Sequence, residues 1–134
     1  MKYIFKYKYS LIVAVFILYL SLIKPPKLDI EILDFKYFDK LVHIFMYSFL
    51  TSVILFETNN INKCRYNFII FSISTIFGGA IEILQNYFPP RTATWGDFIA
   101  DAIGSALPFV ILVIIKFYYY ERKQKGKANS SEPD

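Results

Sequence analysis

The chain has 134 residues, of which 55% are apolar, and a formal net charge of +4. This length allows at most one domain, which is too small to hide its long apolar blocks from water; an ordinary soluble protein is therefore excluded and a membrane protein is favoured. The basic residues flank the apolar runs without forming a stripe, so we expect no nucleic-acid partner. The single cysteine, Cys64, excludes an intrachain disulfide and a cysteine-based metal site.

The first apolar run predicts a transmembrane helix over residues 7–23, with tyrosines at its interfacial end. Basic residues precede it, as in a signal peptide, but no small-x-small cleavage site comes before Lys24 and three more apolar segments follow. We therefore expect this helix to remain attached. Pro25 and Pro26 end it, because proline lacks an amide donor and disfavours helical geometry in the residue before it.

Three further apolar segments predict helices over residues 38–56, 66–88 and 97–120. The first of them spans about 28 Å at about 1.5 Å per residue, close to the hydrocarbon thickness of a bilayer. Thr94 is a candidate cap for the last helix if that helix begins at Trp95. Residues 121–134 lack large apolar side chains and are expected to form a disordered cytoplasmic tail. The predicted fold is an all-α bundle of four transmembrane helices.

The distribution of lysine and arginine predicts the orientation of this bundle. If the N-terminus is cytoplasmic, ten of the chain's 15 basic residues lie in segments on the cytoplasmic side. Cytoplasmic segments of membrane proteins carry the excess of basic residues. Both termini are therefore predicted to be cytoplasmic.

Under this topology, the polar residues that interrupt the second, third and fourth helices all fall at their outer ends. A charged side chain at membrane depth costs on the order of 2.5–3.5 kcal/mol on insertion scales, so it is rare unless it faces protein, water or a ligand. Residues four apart share a helix face, and each helix has such a polar stripe. The residues of the predicted cluster are Asp39, Lys40 and His43, with Tyr47 below them; Glu82, Gln85 and Asn86; and Asp97 and Asp101, with Ser105 below them.

A row of small residues, Gly96, Ala100 and Gly104, accompanies the acidic stripe of the fourth helix. Such a row lets another helix approach closely. Gly78 and Gly79 of the third helix offer a matching surface. We therefore expect the third and fourth helices to pack as a hairpin.

Arg91 is predicted to lie in the loop of this hairpin, above the carboxylates. There it would neutralise Glu82 or Asp97, or bind an external phosphate or carboxylate through its two-pronged guanidinium. These two roles remain open.

A purely structural role for the cluster is the main alternative. Its acids would pair with Lys40, His43 and Arg91 and hold the bundle together. Against this, acids gathered at membrane depth cost stability, which purely structural sites tend to avoid. The chain has a single histidine, so a metal site would depend on carboxylates; we expect no metal ion and no other cofactor.

Three segments of the sequence, DKLVHIFMY, IEILQNYFPPRTA and DFIADAIGSAL, together resemble the VanZ-like family. These are small multi-pass membrane proteins named for a teicoplanin-resistance accessory protein. The family pattern falls on Asp39, Lys40 and His43, then on Glu82 and Gln85, on Arg91 and Thr92, and on Asp97. Asp101 stands where asparagine is frequent in the family, and Pro108 stands where a small glycine is common.

The resemblance implies that residues 1–120 form one VanZ-like domain in a bacterial plasma membrane, in a family whose molecular activity is not established. The first hypothesis is a binding or accessory module that engages a lipid-linked or peptidoglycan-related envelope component and alters sensitivity to teicoplanin. The second is an intramembrane enzyme acting on a lipid, with His43 and either Glu82 or Asp97 as acid and base. The third is a small transporter or flippase, which would need homo-oligomerisation because four helices are few for alternating access.

Overall fold

The computed structural model describes residues 6–23, 38–58, 64–87 and 94–129, with side chains in the last range up to residue 124. These ranges contain four α-helices: α1 (Lys8–Leu22), α2 (Phe38–Thr58), α3 (Cys64–Gln85) and α4 (Trp95–Asn129). They contain no strand, so the predicted all-α class is confirmed.

Three of the helices, α2, α3 and α4, are long and apolar enough to cross a membrane. The remaining helix, α1, is apolar but has 15 residues. At about 1.5 Å per residue it is about 22 Å long, which is shorter than the hydrocarbon core of a bilayer. The bundle therefore combines three helices of membrane-spanning length with a shorter apolar helix packed beside them.

The predicted helix ends agree with the structure to within one turn, except at the end of α4. This helix continues through Pro108 to Asn129, so residues 121–129, which were expected to be disordered, are helical. This segment lacks large apolar side chains and so has little to bury, which favoured disorder in the prediction. Its lysine, arginine, glutamate and glutamine residues are nevertheless strong helix formers. The sequence prediction therefore ended the helix too early.

Hydrogen bonds from α1 to its neighbours show the direction of the helices. At its start, the backbone amides of Tyr9 and Ser10 donate to the carboxylate of Glu57, near the end of α2, at 2.9 and 3.0 Å. At its end, the carbonyl of Ser21 accepts a hydrogen bond from Gln85, at the end of α3, at 2.9 Å. Accordingly, α1 runs antiparallel to α2 and parallel to α3.

The most extensive helix contact joins α2 and α4. Gly104 lies against the backbone of Ile44, and Gly96 lies against the side chain of Lys40. The row of small residues on α4 therefore lies toward α2, and the prediction that it packs on α3 is wrong.

The contact between α3 and α4 uses the two predicted glycines in another way. Gly78 lies under the side chain of Asp101, and Gly79 lies under the ring of Phe98. The glycines thus make room for side chains of α4, and α4 fits between α2 and α3.

The buried apolar core is small and lies where α1, α2 and α3 meet. It comprises Ile17, Tyr47, Leu50 and Ile81. Many large apolar side chains point outward instead, among them Phe45, Phe56 and Ile76, which are 70–80% exposed. A soluble protein of this size does not expose so much apolar surface, whereas a bilayer covers it.

Candidate functional site

The polar residues of α2, α3 and α4 meet at one end of the bundle. This polar end comprises residues 39–47 of α2, 78–86 of α3 and 94–105 of α4, counting Thr94 directly before α4 and Asn86 directly after α3. Within it His43, Glu82, Asp97 and Asp101 are all at least 95% buried. The structure thus brings together the described ionisable residues of the predicted cluster, including Asp39, which is exposed at its edge.

Thr94 organises the start of α4. Its hydroxyl accepts a hydrogen bond from the backbone amide of Asp97 at 3.2 Å and donates one to the Asp97 carboxylate at 2.5 Å. This arrangement satisfies one of the free amides at the beginning of a helix. The prediction that Thr94 caps a helix beginning at Trp95 is confirmed.

Lys40 and Asp97 form an ion pair across α2 and α4. The Lys40 ammonium lies 3.2 Å from Asp97 Oδ1, the Asp97 side chain is 7% exposed, and that of Lys40 is 36% exposed. The Asp97 carboxylate therefore has a cationic partner in Lys40 and a hydroxyl donor in Thr94. Asp97 thus forms an ion pair that holds two helices together, which is the role that the purely structural alternative gives to all the acids of the cluster.

His43 and Asp101 form a second link between the same helices. The ring nitrogen Nδ1 of His43 donates a hydrogen bond to Asp101 Oδ1 at 2.7 Å. On its own helix, His43 stacks on Tyr47, with the ring centroids 6.4 Å apart. All three side chains are buried, so the pair lies in a site from which water is largely excluded.

Glu82 faces this pair from α3 without a hydrogen bond to it. Its Oε1 lies 3.7 Å from Nδ1 of His43, which is too long for a hydrogen bond. Among the described residues, neither oxygen of Glu82 has a hydrogen-bond partner of good geometry, although the backbone amide of Thr94 is near enough to act on it weakly; Oδ2 of Asp101 has no partner either. Buried polar atoms are nearly always paired with protein, water or an ion, so this arrangement is unusual.

Gly78 explains how Asp101 fits against α3. A Cβ atom at residue 78 would lie 2.6 Å from Asp101 Oδ2, closer than van der Waals contact allows. The missing side chain thus makes space for the carboxylate at the helix interface. The spacing of the sequence gave no indication of this contact, because Gly78 and Gly79 were assigned to backbone packing.

A groove between α3 and α4 opens beside the buried acids and has a volume of about 370 Å³. Its walls are mostly apolar, and Glu82 contributes the acidic group. The lining residues are Gly79, Glu82, Ile83, Asn86, Thr94, Trp95 and Phe98. Sequence reasoning did not identify Trp95 as a wall of this groove.

The remaining residues of the predicted cluster have different positions. Gln85 is buried, but it binds the carbonyl of Ser21 on α1 and not the acids. Asn86 is exposed at the end of α3. Arg91 and Thr92 lie outside the described residues, so the pairing of Arg91 with the acids stays a prediction.

Two groups of side chains at the polar end have the spacing of metal ligands. His43, Glu82 and Asp101 each offer one ligand atom within 4.8 Å of the others, and all three are buried. Asp39, His43 and Asp97 form the second group. In the second group Asp39 is exposed and Asp97 is already paired with Lys40.

Comparison with known proteins agrees with the resemblance found in the sequence motifs. A family model described as VanZ/LLP1 matches residues 2–116, which include α1 to α3, most of α4 and the whole polar end. No curated protein and no solved structure matches the chain significantly. With this match over most of its length, the chain belongs to the VanZ/LLP1 family of membrane proteins.

Proposed function

We propose that the protein is an accessory module of the bacterial plasma membrane and that its polar end binds a lipid-linked or peptidoglycan-related component of the cell envelope. In this proposal α1 also crosses the bilayer, both termini are cytoplasmic, and the polar end lies just beneath the outer surface. Binding would modulate sensitivity to glycopeptides such as teicoplanin.

The observation that carries this proposal is the groove between α3 and α4. It combines apolar walls from Ile83, Trp95 and Phe98 with one acidic side chain, Glu82. Ligand pockets are typically mostly apolar with a few polar groups that fix orientation. An amphipathic molecule with acyl or isoprenoid chains fits this pattern, because its chains would lie along the groove while its polar head reaches the buried acids.

The difference in pairing between two buried acids, Asp97 and Glu82, gives a second line of support. Asp97 is paired with Lys40, but Glu82 has no hydrogen bond of good geometry to a described residue although it is buried. A group that only stabilised the bundle would have a partner, since a buried and unpaired acid is costly. Glu82 is therefore the residue of the polar end that is best placed to meet a ligand.

Photo-crosslinking tests this proposal directly. A benzophenone side chain in place of Trp95, on the groove wall, is expected to crosslink a lipid-linked envelope component that mass spectrometry identifies. The same side chain in place of Tyr119, at the far end of α4, serves as the matched control. The proposal fails if both positions crosslink only bulk phospholipid.

Drug sensitivity tests the cellular consequence. Expression of the wild-type protein is expected to change teicoplanin sensitivity, and Glu82→Gln is expected to abolish the change. Glu121→Gln, on the exposed part of α4, should behave as wild type. Identical sensitivity with and without the protein, across several hosts, would contradict the proposed link to glycopeptides but not the crosslinking result.

An intramembrane enzyme acting on a lipid is the second candidate, favoured by the contact between His43 and Asp101. A histidine held by a carboxylate is a common acid–base arrangement, and Glu82 lies beside it on the groove. Asp97 is less suited to this role than expected, because Lys40 and Thr94 occupy its oxygens. Lipid profiling of a deletion strain would then show one accumulating species that wild type removes and His43→Ala does not.

A further inference from the structure

We propose that His43, Glu82 and Asp101 bind a divalent cation of the Zn²⁺ or Mn²⁺ type at the base of the groove. These three residues are called the buried triad. The expectation from residue counts was that no metal would bind, since the chain has one histidine. The structure changes this expectation, because three helices bring one imidazole and two carboxylates together.

The distances within the triad suit a single ion. Nδ1 of His43 lies 2.7 Å from Asp101 Oδ1 and 3.7 Å from Glu82 Oε1. Ligands about 2.0–2.2 Å from one ion lie on the order of 3 Å from each other when they are adjacent. Binding of an ion between the three side chains therefore replaces the proton on His43 Nδ1, which is released to solvent or moves to Nε2, and requires small movements of the side chains but not of the helices.

The unpaired oxygens point to the same conclusion independently of the spacing. Both oxygens of Glu82 and Oδ2 of Asp101 have no well-aligned hydrogen-bond partner among the described residues, and the two side chains are at least 95% buried. Three buried acceptors without a well-aligned donor are a set of groups that a cation would satisfy.

The charges of the polar end favour a cation as well. Asp97 is balanced by Lys40, so that within the described ranges Glu82 and Asp101 have His43 as their only basic neighbour. Two carboxylates this close, and largely excluded from water, repel each other unless one of them is protonated or a cation lies between them. A divalent ion supplies the missing charge.

The ligand types indicate which ions are suitable. Imidazole nitrogen favours zinc and other transition ions, whereas carboxylate oxygens also suit Mn²⁺. Mg²⁺ and Ca²⁺ prefer sites built from oxygen ligands, so we expect them to bind less tightly. The second group, with Asp39 and Asp97, is less suitable because Lys40 already pairs with Asp97.

The position of Glu82 gives the ion a role. Glu82 belongs to the buried triad and also lines the groove, so an ion there keeps a coordination position open to a bound molecule. An open position on a divalent ion suits a phosphate group of a lipid headgroup. This last step rests on the proposed function, whereas binding of the ion itself does not.

The test uses the full-length protein without a histidine tag, freed of metal with a chelator, in lipid nanodiscs. Titration calorimetry is expected to show one Zn²⁺ or Mn²⁺ bound per chain, with weaker binding of Mg²⁺ and Ca²⁺. Because the chain has one histidine, the nitrogen NMR signals of its imidazole report on this site alone, and Zn²⁺ should shift the Nδ1 signal.

Matched variants separate the triad from other acids. Glu82→Gln and Asp101→Asn should weaken Zn²⁺ binding by at least about tenfold, a loss of the size seen when groups that support a metal site are removed. Asp39→Asn, in the second group, and Glu57→Gln, at the opposite end of α2, should bind as wild type.

Two results overturn the proposal. One is an imidazole signal in the wild-type protein that does not respond to Zn²⁺, which remains decisive even if the triad variants do not fold. The other is binding that depends on Asp39 and not on Glu82. The titration contains no lipid ligand, so a failure to bind the ion contradicts the metal site alone. A failure of the crosslinking experiment contradicts the proposed function alone.

Discussion

Gly104 of α4 lies so close to Ile44 of α2 that a Cβ atom on the glycine would be 2.5 Å from the Ile44 carbonyl oxygen. The obstacle is backbone, which cannot rotate away as a side chain can. The distance between α2 and α4 at the polar end therefore depends on the missing side chain of this glycine. The same two helices carry the ion pair of Lys40 with Asp97 and the contact of His43 with Asp101.

We expect Gly104→Ala to destabilise the bundle by about 1–3 kcal/mol, the usual cost of overpacking a well-packed contact. Unfolding by SDS titration in mixed micelles measures this. Gly79→Ala is the matched control, because its Cβ would meet the edge of the Phe98 ring at 3.0 Å, and this ring can shift. Equal losses in the two variants would contradict the backbone contact as the cause.

The ion pair between Lys40 and Asp97 is expected to contribute modestly. Because the Lys40 side chain is 36% exposed, solvent screening limits the coupling to about 1 kcal/mol. A double-mutant cycle of Lys40→Gln and Asp97→Asn isolates the pair from the contribution of Thr94 to Asp97. Additive losses in the cycle would show that the two charges do not interact.

Removal of two different buried hydroxyls is expected to have different effects on the free energy of unfolding. Thr51 donates a hydrogen bond to Ser74 at 2.9 Å, so Thr51→Val should cost about 0.5–2 kcal/mol. The Tyr47 hydroxyl has no partner among the described residues, so Tyr47→Phe should leave the free energy of unfolding unchanged or raise it. A large loss with Tyr47→Phe would mean that this hydroxyl binds a water molecule or an ion.

The proposed orientation can be tested with two cysteines at opposite ends of the bundle. Native Cys64 begins α3 and is exposed, and Trp95 begins α4 and is 84% exposed. A membrane-impermeant maleimide should label Trp95→Cys, in a Cys64→Ser background, in intact spheroplasts. It should label native Cys64 only after permeabilisation. The reverse pattern would place the polar end on the cytoplasmic side.

Much of the polar end could be predicted because two simple rules act together. Polar side chains avoid lipid, and residues four apart share a helix face. These rules placed His43 on one inward stripe and Asp97 and Asp101 on another, and both stripes are buried in the structure. They need only the sequence of each helix.

The pairing within the polar end could not be predicted in the same way. Whether His43 meets Asp97 or Asp101 depends on the rotation of α4 about its axis and on its height beside α2. Neither quantity is contained in the spacing of one helix. The small residues fix both, since Gly104 packs on Ile44 and Gly96 packs on Lys40, and the partner of that row was itself assigned wrongly from the sequence.

The carboxylate of Glu57 that binds the first amides of α1 is encoded 47 residues after Ser10. During translation, α1 therefore leaves the ribosome before its cap exists, and at its exposed start water can satisfy these amides in the meantime. The carboxylate replaces water only once α2 has threaded back to the same side. The capped start of α1 is thus a joint product of the first two helices, and this short helix gains its link to α2 only when α2 is in place.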